Sequence, residues 1–434
     1  MPKDVKVLIN NTKESIVTDD PHPVLTLWSD LDQPFDFWQV WVSEINGKPC
    51  WKSEHIPGTQ TQIRYSGKAL KPKTSYRVEA TLFDNGLPVA TAEAFLEMGF
   101  LKTPWQAKWI EPEQENAIPE EKIPVYMHFL PSSNFAGSYD RLRPCRELKK
   151  ELFLDEQPVR ARLYASAHGI YELSVNGQRT DERWFAPETS AYDRQLYYQT
   201  YDVTSKLKIG LNTIEITLSD GWWIGRIGLT GESCQYGDRL GFIMQMELTG
   251  ADGSTRIICS DTSFYCRKSH IDYADLFIGE RRDFAKKDEP WVRRCNETDD
   301  PTDPLVAQPT PPIIRKASFD CSFFTTPDGD LMADFGQCLA GIVEIEVEAE
   351  EGTEVSMEMT EMLDKDGRFF RNIIGRNKDQ RDVFVCKAGP THFIPHFTYH
   401  GFRYARLKGV SLSQIKKLKA HALGTDLEPR GMFT

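Results

Sequence analysis

Residues 218–226 read Leu-Ser-Asp-Gly-Trp-Trp-Ile-Gly-Arg, placing two indoles almost directly after a carboxylate. That combination suits sugars, because indole faces stack on pyranose C–H groups while a carboxylate accepts hydroxyl hydrogen bonds. Asp220, Trp222, Trp223, Arg226 and the nearby Tyr236 therefore form a candidate carbohydrate-binding set. A second arrangement satisfies the same residues: both indoles packed between strands or against a neighbouring domain. Trp184, Tyr197 and Tyr198 admit the same two readings.

Cleaving a glycosidic bond needs two carboxyl groups, about 5 Å apart for retention or about 6.5–9.5 Å for inversion. No pair is singled out by context, so no catalytic residue is assigned. Glu280 and Asp283 lie in Phe277-Ile278-Gly279-Glu280-Arg281-Arg282-Asp283, where the alternating charges predict an ion-pair network at a domain surface. His392, His396 and His400 recur every fourth residue, which on a helix would present a zinc-binding face. Pro395 and the surrounding aromatic residues indicate an extended segment, on which members four residues apart stand roughly 13 Å from each other. Zinc ligands must converge within about 2 Å of one ion, so no metal site is expected. Asp364-Lys365-Asp366-Gly367 lacks the further acceptors of a calcium loop and reads as a hairpin turn. No dinucleotide-binding glycine motif, P-loop or nucleophile elbow occurs, and no cofactor is expected.

These residues must be positioned by strands. Phe37–Ser43 and Tyr76–Leu82 alternate apolar and polar, and Asp84-Asn85-Gly86 supplies a turn with cheap positive φ. The first unit, 1–103, reads as a fibronectin type III-like sandwich. Arg160–Val175, Thr213–Leu218 and Gly241–Leu248 supply strands for a second unit, 104–300, read as a jelly roll. Asn176-Gly177 predicts a hairpin there, and a short helical turn should follow Tyr201–Thr204 and end at Gly210. A Pro-rich connector at 301–312 leads to a third sandwich, 313–425. In it, Ile342–Glu348 alternates apolar and acidic residues, predicting one face in the core and one in water. No long helical periodicity appears, so the chain is expected to be all-β, three tandem β-sandwich domains.

A length of 434 residues fits about three domains at roughly 150 residues each. The net charge of −12 disfavours nucleic acid, and the cluster Lys416-Lys417-Leu418-Lys419 reads as a solvated face. No run of about 18 apolar residues is present, so no membrane partner is expected. Nine scattered cysteines without a close pair, and an N-terminus without a signal-like apolar core, predict a reduced, cytoplasmic protein.

The stretch Ala165-Ser166-Ala167-His168-Gly169-Ile170-Tyr171-Glu172-Leu173-Ser174-Val175-Asn176-Gly177, followed by Asp220–Arg226, resembles the N-terminal β-domain of bacterial α-L-rhamnosidases of glycoside hydrolase family 78. Asp334-Phe335-Gly336-Gln337, Ala340-Gly341 and Phe397-Thr398-Tyr399-His400-Gly401-Phe402-Arg403-Tyr404 resemble the family's next domain, a concanavalin-like sandwich. The resemblance implies inverting, exo-acting hydrolysis of terminal α-L-rhamnose by acidic residues on an (α/α)₆ barrel. None of that barrel's motifs matches a position here, and 426–434 resembles the linker leading into it. The family's inserted calcium-dependent rhamnose-binding module is not expected, the stretch 111–146 being too short for it. The expectation is thus a non-catalytic accessory portion, inactive alone, with a rhamnosyl glycoside or oligosaccharide as ligand and the barrel as docking partner. The alternative is a free-standing carbohydrate-binding or scaffold protein, and the sequence leaves homodimerisation open.

Overall fold

The computed structural model describes residues 5–13, 15–30, 35–120, 122, 124, 126, 139–228, 230–298, 304–371, 373, 375–377 and 380–427. The first four residues, 301–303 of the connector and the tail beyond 427, which carried expectations above, lie outside the described residues. The described residues are nearly all β, and their strands group into five sheets.

In the first unit, Val5–Ile9, Val24–Ser29 and Gln62–Arg64 form a three-stranded sheet. It faces a second sheet built from Ser15–Thr18, Leu87–Met98, Ser75–Asp84, Phe37–Glu44 and Pro49–Lys52. Alternate residues Trp38, Val40 and Val42 meet Val78, Ala80 and Leu82 in the core between the sheets. Each such side chain contributes roughly 1.5–3 kcal/mol on burial. Asn85 (φ 49°) and Gly86 (φ 74°) join Ser75–Asp84 to Leu87–Met98, both in the left-handed region that a type I′ hairpin needs.

The second unit packs a sheet in the order Cys295–Thr298, Trp109–Pro112, Gly241–Thr249, Arg160–His168, Leu196–Asp202, Leu305–Ala307 against a five-stranded sheet. The latter runs Gln178–Arg179, Ile170–Val175, Gly210–Ser219, Arg146–Leu154, Tyr265–Lys268. The helical turn after Asp202 is a 3-10 turn, Thr204–Lys206, that ends before Gly210. Gly210 (φ 93°) instead opens the next strand. The Pro-rich segment is stitched to this unit, since Leu305–Ala307 pairs in parallel with Leu196–Tyr198.

The third sheet does not respect the chain order of the units. Its strand order is Ile271–Asp275, Gly279–Asp283, Arg381–Val385, Glu354–Thr360, His400–Lys408, Leu331–Glu348, Ile415–Thr425, Ile313–Asp320. The first two strands come from the stretch read as jelly roll, and Gly279–Asp283 pairs in parallel with Arg381–Val385. Alternation reports a half-buried strand but not the sheet it joins. The acidic side of Ile342–Glu348 likewise departs from the expected open face. Glu344 is buried, and Ile342 packs under Phe397 and the jelly-roll residues Ile170 and Trp184.

Candidate functional site

Strand Gly210–Ser219 ends in Asp220, and Gly221–Ile224 then forms a single helical turn. Gly221 sits at φ 53°, and a Cβ there would lie 2.6 Å from Ile170 Cγ2, so the position requires glycine. Adjacent residues on a helical turn point about 100° apart. Trp222 and Trp223 accordingly go to different places.

Trp223 enters the jelly-roll core, stacked 4.3 Å from His168, which stacks at 3.9 Å on Trp109. It also meets Tyr192 edge-on at 5.3 Å, Tyr236 stacked at 6.2 Å and the close backbone of Gly237. At 8% exposure it offers no free face to a sugar. Trp222 is half-buried, edge-on to Phe185 at 6.0 Å, and bridges the jelly-roll core and the cluster beneath the third sheet. The two indoles therefore form no joint platform.

Asp220 is buried and accepts from Arg143 Nε at 3.2 Å and Nη2 at 3.1 Å. Arg226 is buried too, donating from Nε to Glu120 Oε1 at 2.8 Å, from Nη1 to the Arg376 carbonyl at 2.7 Å and from its backbone N–H to Asp275 Oδ2 at 3.0 Å. Arg141 completes the network, donating to Glu120 Oε1 at 2.7 Å and to Asp275. Burial acts to raise the Glu120 carboxyl, but the Arg226 and Arg141 guanidiniums outweigh it and hold the group below the ordinary carboxylate range. Asp275 is held down in the same way, chiefly by Arg141 against burial. Of the residues offered as carbohydrate-binding, Asp220 and Arg226 are engaged in ion pairs and Trp223 in core packing. Of the five residues, Tyr236 is exposed (44%), its ring 4.9 Å from Tyr192, and Trp222 reaches the surface in part.

Glu280 is fully buried in the seam between the second and third units, not at a surface. Its Oε2 accepts from the backbone N–H groups of His396 (2.8 Å) and Phe397 (3.1 Å), and Oε1 lies 3.0 Å from Arg282 Nη2. Asp283 caps a turn, accepting from Ala285 N at 2.9 Å. The three spaced histidines each meet a different carboxylate: His392 with Glu344 at 2.7 Å, His396 with Glu172 at 2.6 Å and His400 with Asp382 at 3.1 Å. Among the described residues no group of three His, Cys, Asp or Glu is arranged to hold a metal. Asp364 Oδ1 accepts from Asp366 N (2.9 Å) and Arg368 N (2.7 Å), closing a turn with Gly367 at φ 78°.

Sequence reasoning missed two features. Glu344 gathers His392, Lys417 and His421, a cluster visible only once Ile415–Thr425 is laid beside Leu331–Glu348 in register. A cleft of about 1520 Å³ also opens between the first unit and the jelly roll, lined by residues distant in sequence. Among the described residues no helix is long and apolar enough to cross a membrane.

Three families match in succession: the Rha78A-like N-terminal immunoglobulin domain over 5–102, the α-L-rhamnosidase N-terminal domain over 156–317 and the bacterial α-L-rhamnosidase concanavalin-like domain over 324–424. An α-L-rhamnosidase of Streptomyces avermitilis is 32% identical over 291 residues, covering 63% of this chain and 28% of the relative. One of Formosa agariphila is 27% identical over 414 residues, covering 88% of this chain and 42% of the relative. The solved α-L-rhamnosidase of Aspergillus terreus shares the fold with a TM-score of 0.84 at 24% identity, covering 98% of this chain and 50% of that one. The Streptomyces avermitilis enzyme, solved with L-rhamnose, gives 0.82 at 20% identity and covers 98% and 58%. This chain thus spans less than half the length of those curated relatives. The β-domains described here belong to the N-terminal region of the α-L-rhamnosidases of glycoside hydrolase family 78.

Proposed function

We propose that this chain is the supporting, non-catalytic portion of an inverting α-L-rhamnosidase acting on terminal α-L-rhamnose of glycosides or polysaccharides, the acid and base residing on a helical barrel. The observation that carries the reading is the state of the carboxylates. A general acid needs a raised pKa, and a second carboxyl must stand across the bond from it. Glu120, Asp275, Glu172 and Glu358 are each held below the ordinary range by arginine or histidine partners that outweigh burial. Glu188 is pushed up by burial, but its Oε1 accepts from Gln308 Nε2 at 2.8 Å and from Ile313 N at 3.1 Å. The charged group acting on it is Arg183, not a second carboxylate.

A barrel partner fits the aromatic seam where Phe185 meets Trp222 at 6.0 Å and the exposed Tyr399 at 5.7 Å. All nine cysteines are free thiols, in keeping with a reducing, cytoplasmic setting. The test is rhamnose release from an aryl α-L-rhamnoside by the purified chain. No turnover is expected. Turnover abolished by Glu188→Gln, or by substitution of another carboxylate named here, would overturn the reading.

A further inference from the structure

The two sheets of the jelly roll meet at one open edge, and a cysteine stands on each side of it. Tyr265–Lys268 ends the five-stranded sheet, and Cys295–Thr298 ends the sheet opposite. Each is a four-residue strand, laddered to Arg146–Lys149 in the first case and to Trp109–Pro112 in the second. Between the two edges the chain changes sheets. Cys266 N donates to the Val292 carbonyl at 2.7 Å and Val292 N to the Cys266 carbonyl at 3.0 Å, while Cys295, just downstream, already lies opposite Pro112.

Cys266 and Cys295 thus come together in one buried cluster at the sandwich edge. The Cys295 thiol donates to the Cys266 sulfur, and the backbone N–H groups of Glu113 and Arg294 donate to that same sulfur. Three donors on one sulfur favour its thiolate. The bond from Cys295, helped by the two amides, holds the Cys266 thiol well below the ordinary range against burial, and the same bond pushes the Cys295 thiol up. At Cys145 and Cys386, by contrast, burial is the main influence and raises both thiols.

A thiolate in contact with a protonated thiol is the arrangement from which a disulfide forms, once an oxidant accepts two electrons. Cys266 is 3% exposed and Cys295 5%, which bars a bulky oxidant such as glutathione disulfide. A small hydroperoxide can enter when a four-residue edge strand opens locally.

We propose that Cys266 and Cys295 form a peroxide-sensitive dithiol that closes into a disulfide, pinning the two jelly-roll sheets together. The Cys266 thiolate attacks one peroxide oxygen and the O–O bond breaks, leaving a sulfenic acid on Cys266 and a hydroxide that takes up a proton to become water. Cys295 sulfur then attacks Cys266 sulfur; the S–O bond breaks, and the hydroxyl leaves with the Cys295 proton as a second water. Two thiols are oxidised and one peroxide is reduced. The loop closed in this way, 266–295, contains Ile271–Asp275 and Gly279–Asp283, the two strands that join the third sheet. The bond would clamp both ends of that excursion and steady the seam in which Glu280 is buried. This chemistry does not depend on rhamnoside hydrolysis.

The experiment treats the reduced 434-residue chain with hydrogen peroxide near neutral pH, blocks the remaining thiols with iodoacetamide after denaturation, and maps the peptides by mass spectrometry. A peptide pair joining Cys266 to Cys295 is expected, formed at least about tenfold faster than Cys145 or Cys386 is oxidised. The oxidised chain should melt about 5 °C above the reduced one, and a reducing agent should reverse the shift. Cys295→Ser should leave a sulfenic acid on Cys266 that dimedone captures, whereas Cys338→Ser, at an exposed thiol, should leave the Cys266–Cys295 bond unaffected. Absence of the joined peptides from the treated parent chain, their formation at the pace of Cys145 oxidation, or a melting point lowered by the bond would overturn the proposal, whether or not the Cys295 variant folds. Labelling of Cys266 by glutathione disulfide as readily as Cys338 would also overturn it, since the pair would then not be shielded.

Discussion

Glu344 shows how much one side chain depends on strand register. His392 Nε2 and Lys417 Nζ each lie 2.7 Å from its Oε1, and His421 Nε2 lies 2.8 Å from its Oε2. Burial acts to raise its pKa, and the bonds from Lys417, His392 and His421 outweigh it, bringing the group to about 2 from 4.5. A depressed folded-state pKa contributes stability that is present above the unfolded value and lost as pH falls through the folded one. The difference, 4.5 − 2 = 2.5 units, corresponds to about 3 kcal/mol, to be lost between about pH 4.5 and 2. His421 is held below its ordinary value, by burial first, so its protonation on acidification withdraws stability in the same direction. Glu344→Gln should therefore lower the thermal midpoint near neutrality and flatten its decline below about pH 4.5. Parallel declines in parent and variant, followed by circular dichroism, would show that Glu344 does not anchor the sheet.

The turn after Ser219 makes an equally sharp case for an element. Gly221→Ala must place a methyl 2.6 Å from Ile170 Cγ2 at φ 53°. The left-handed conformation costs an L-residue about 1–2 kcal/mol, and overpacking typically costs a further 1–3 kcal/mol. A loss of about 3 kcal/mol in urea unfolding is expected; a loss below about 1 kcal/mol would mean that the turn relaxes freely. The same element marks what the sequence made legible. The hairpins at Asp84-Asn85-Gly86 and Asn176-Gly177 and the alternation in Phe37–Glu44 could be read directly, because turn chemistry and period-two burial are local. The destinations of Trp222 and Trp223 could not, since adjacency in sequence does not say that a helical turn will send them to different cores. Neither could the cleft, whose walls at Phe95 and Thr200 meet only after the first unit docks.

At the scale of the molecule, the hydrogen bonding predicts which parts melt together. Ile271–Asp275 and Gly279–Asp283 leave the second unit to become strands of the third sheet, and Glu280 receives the His396 and Phe397 amides across the seam. Removing the third unit would strip that buried carboxylate of both amide donors and expose Ile170 and Trp184, so the second and third units should unfold as one. The first unit is attached differently. Among the described residues it contributes no strand to either of the other two units, and its junction is a small cluster around Phe100, Tyr164 and Tyr198, two bonds from Ala307 N and the Tyr198 hydroxyl to Asp19, and the ion pairs of Glu97 with Arg160 and Arg162 and of Lys73 with Glu247. Hydrogen bonds to a charged group are worth about 1.5–3 kcal/mol each, so the two that reach Asp19 from across the junction supply part of the coupling. Asp19→Ala should split the calorimetric profile, releasing an early transition for 5–103 while 104–427 still melts in a single step. Should the third sheet instead melt apart from the jelly roll, the shared strands would not be what binds those units together.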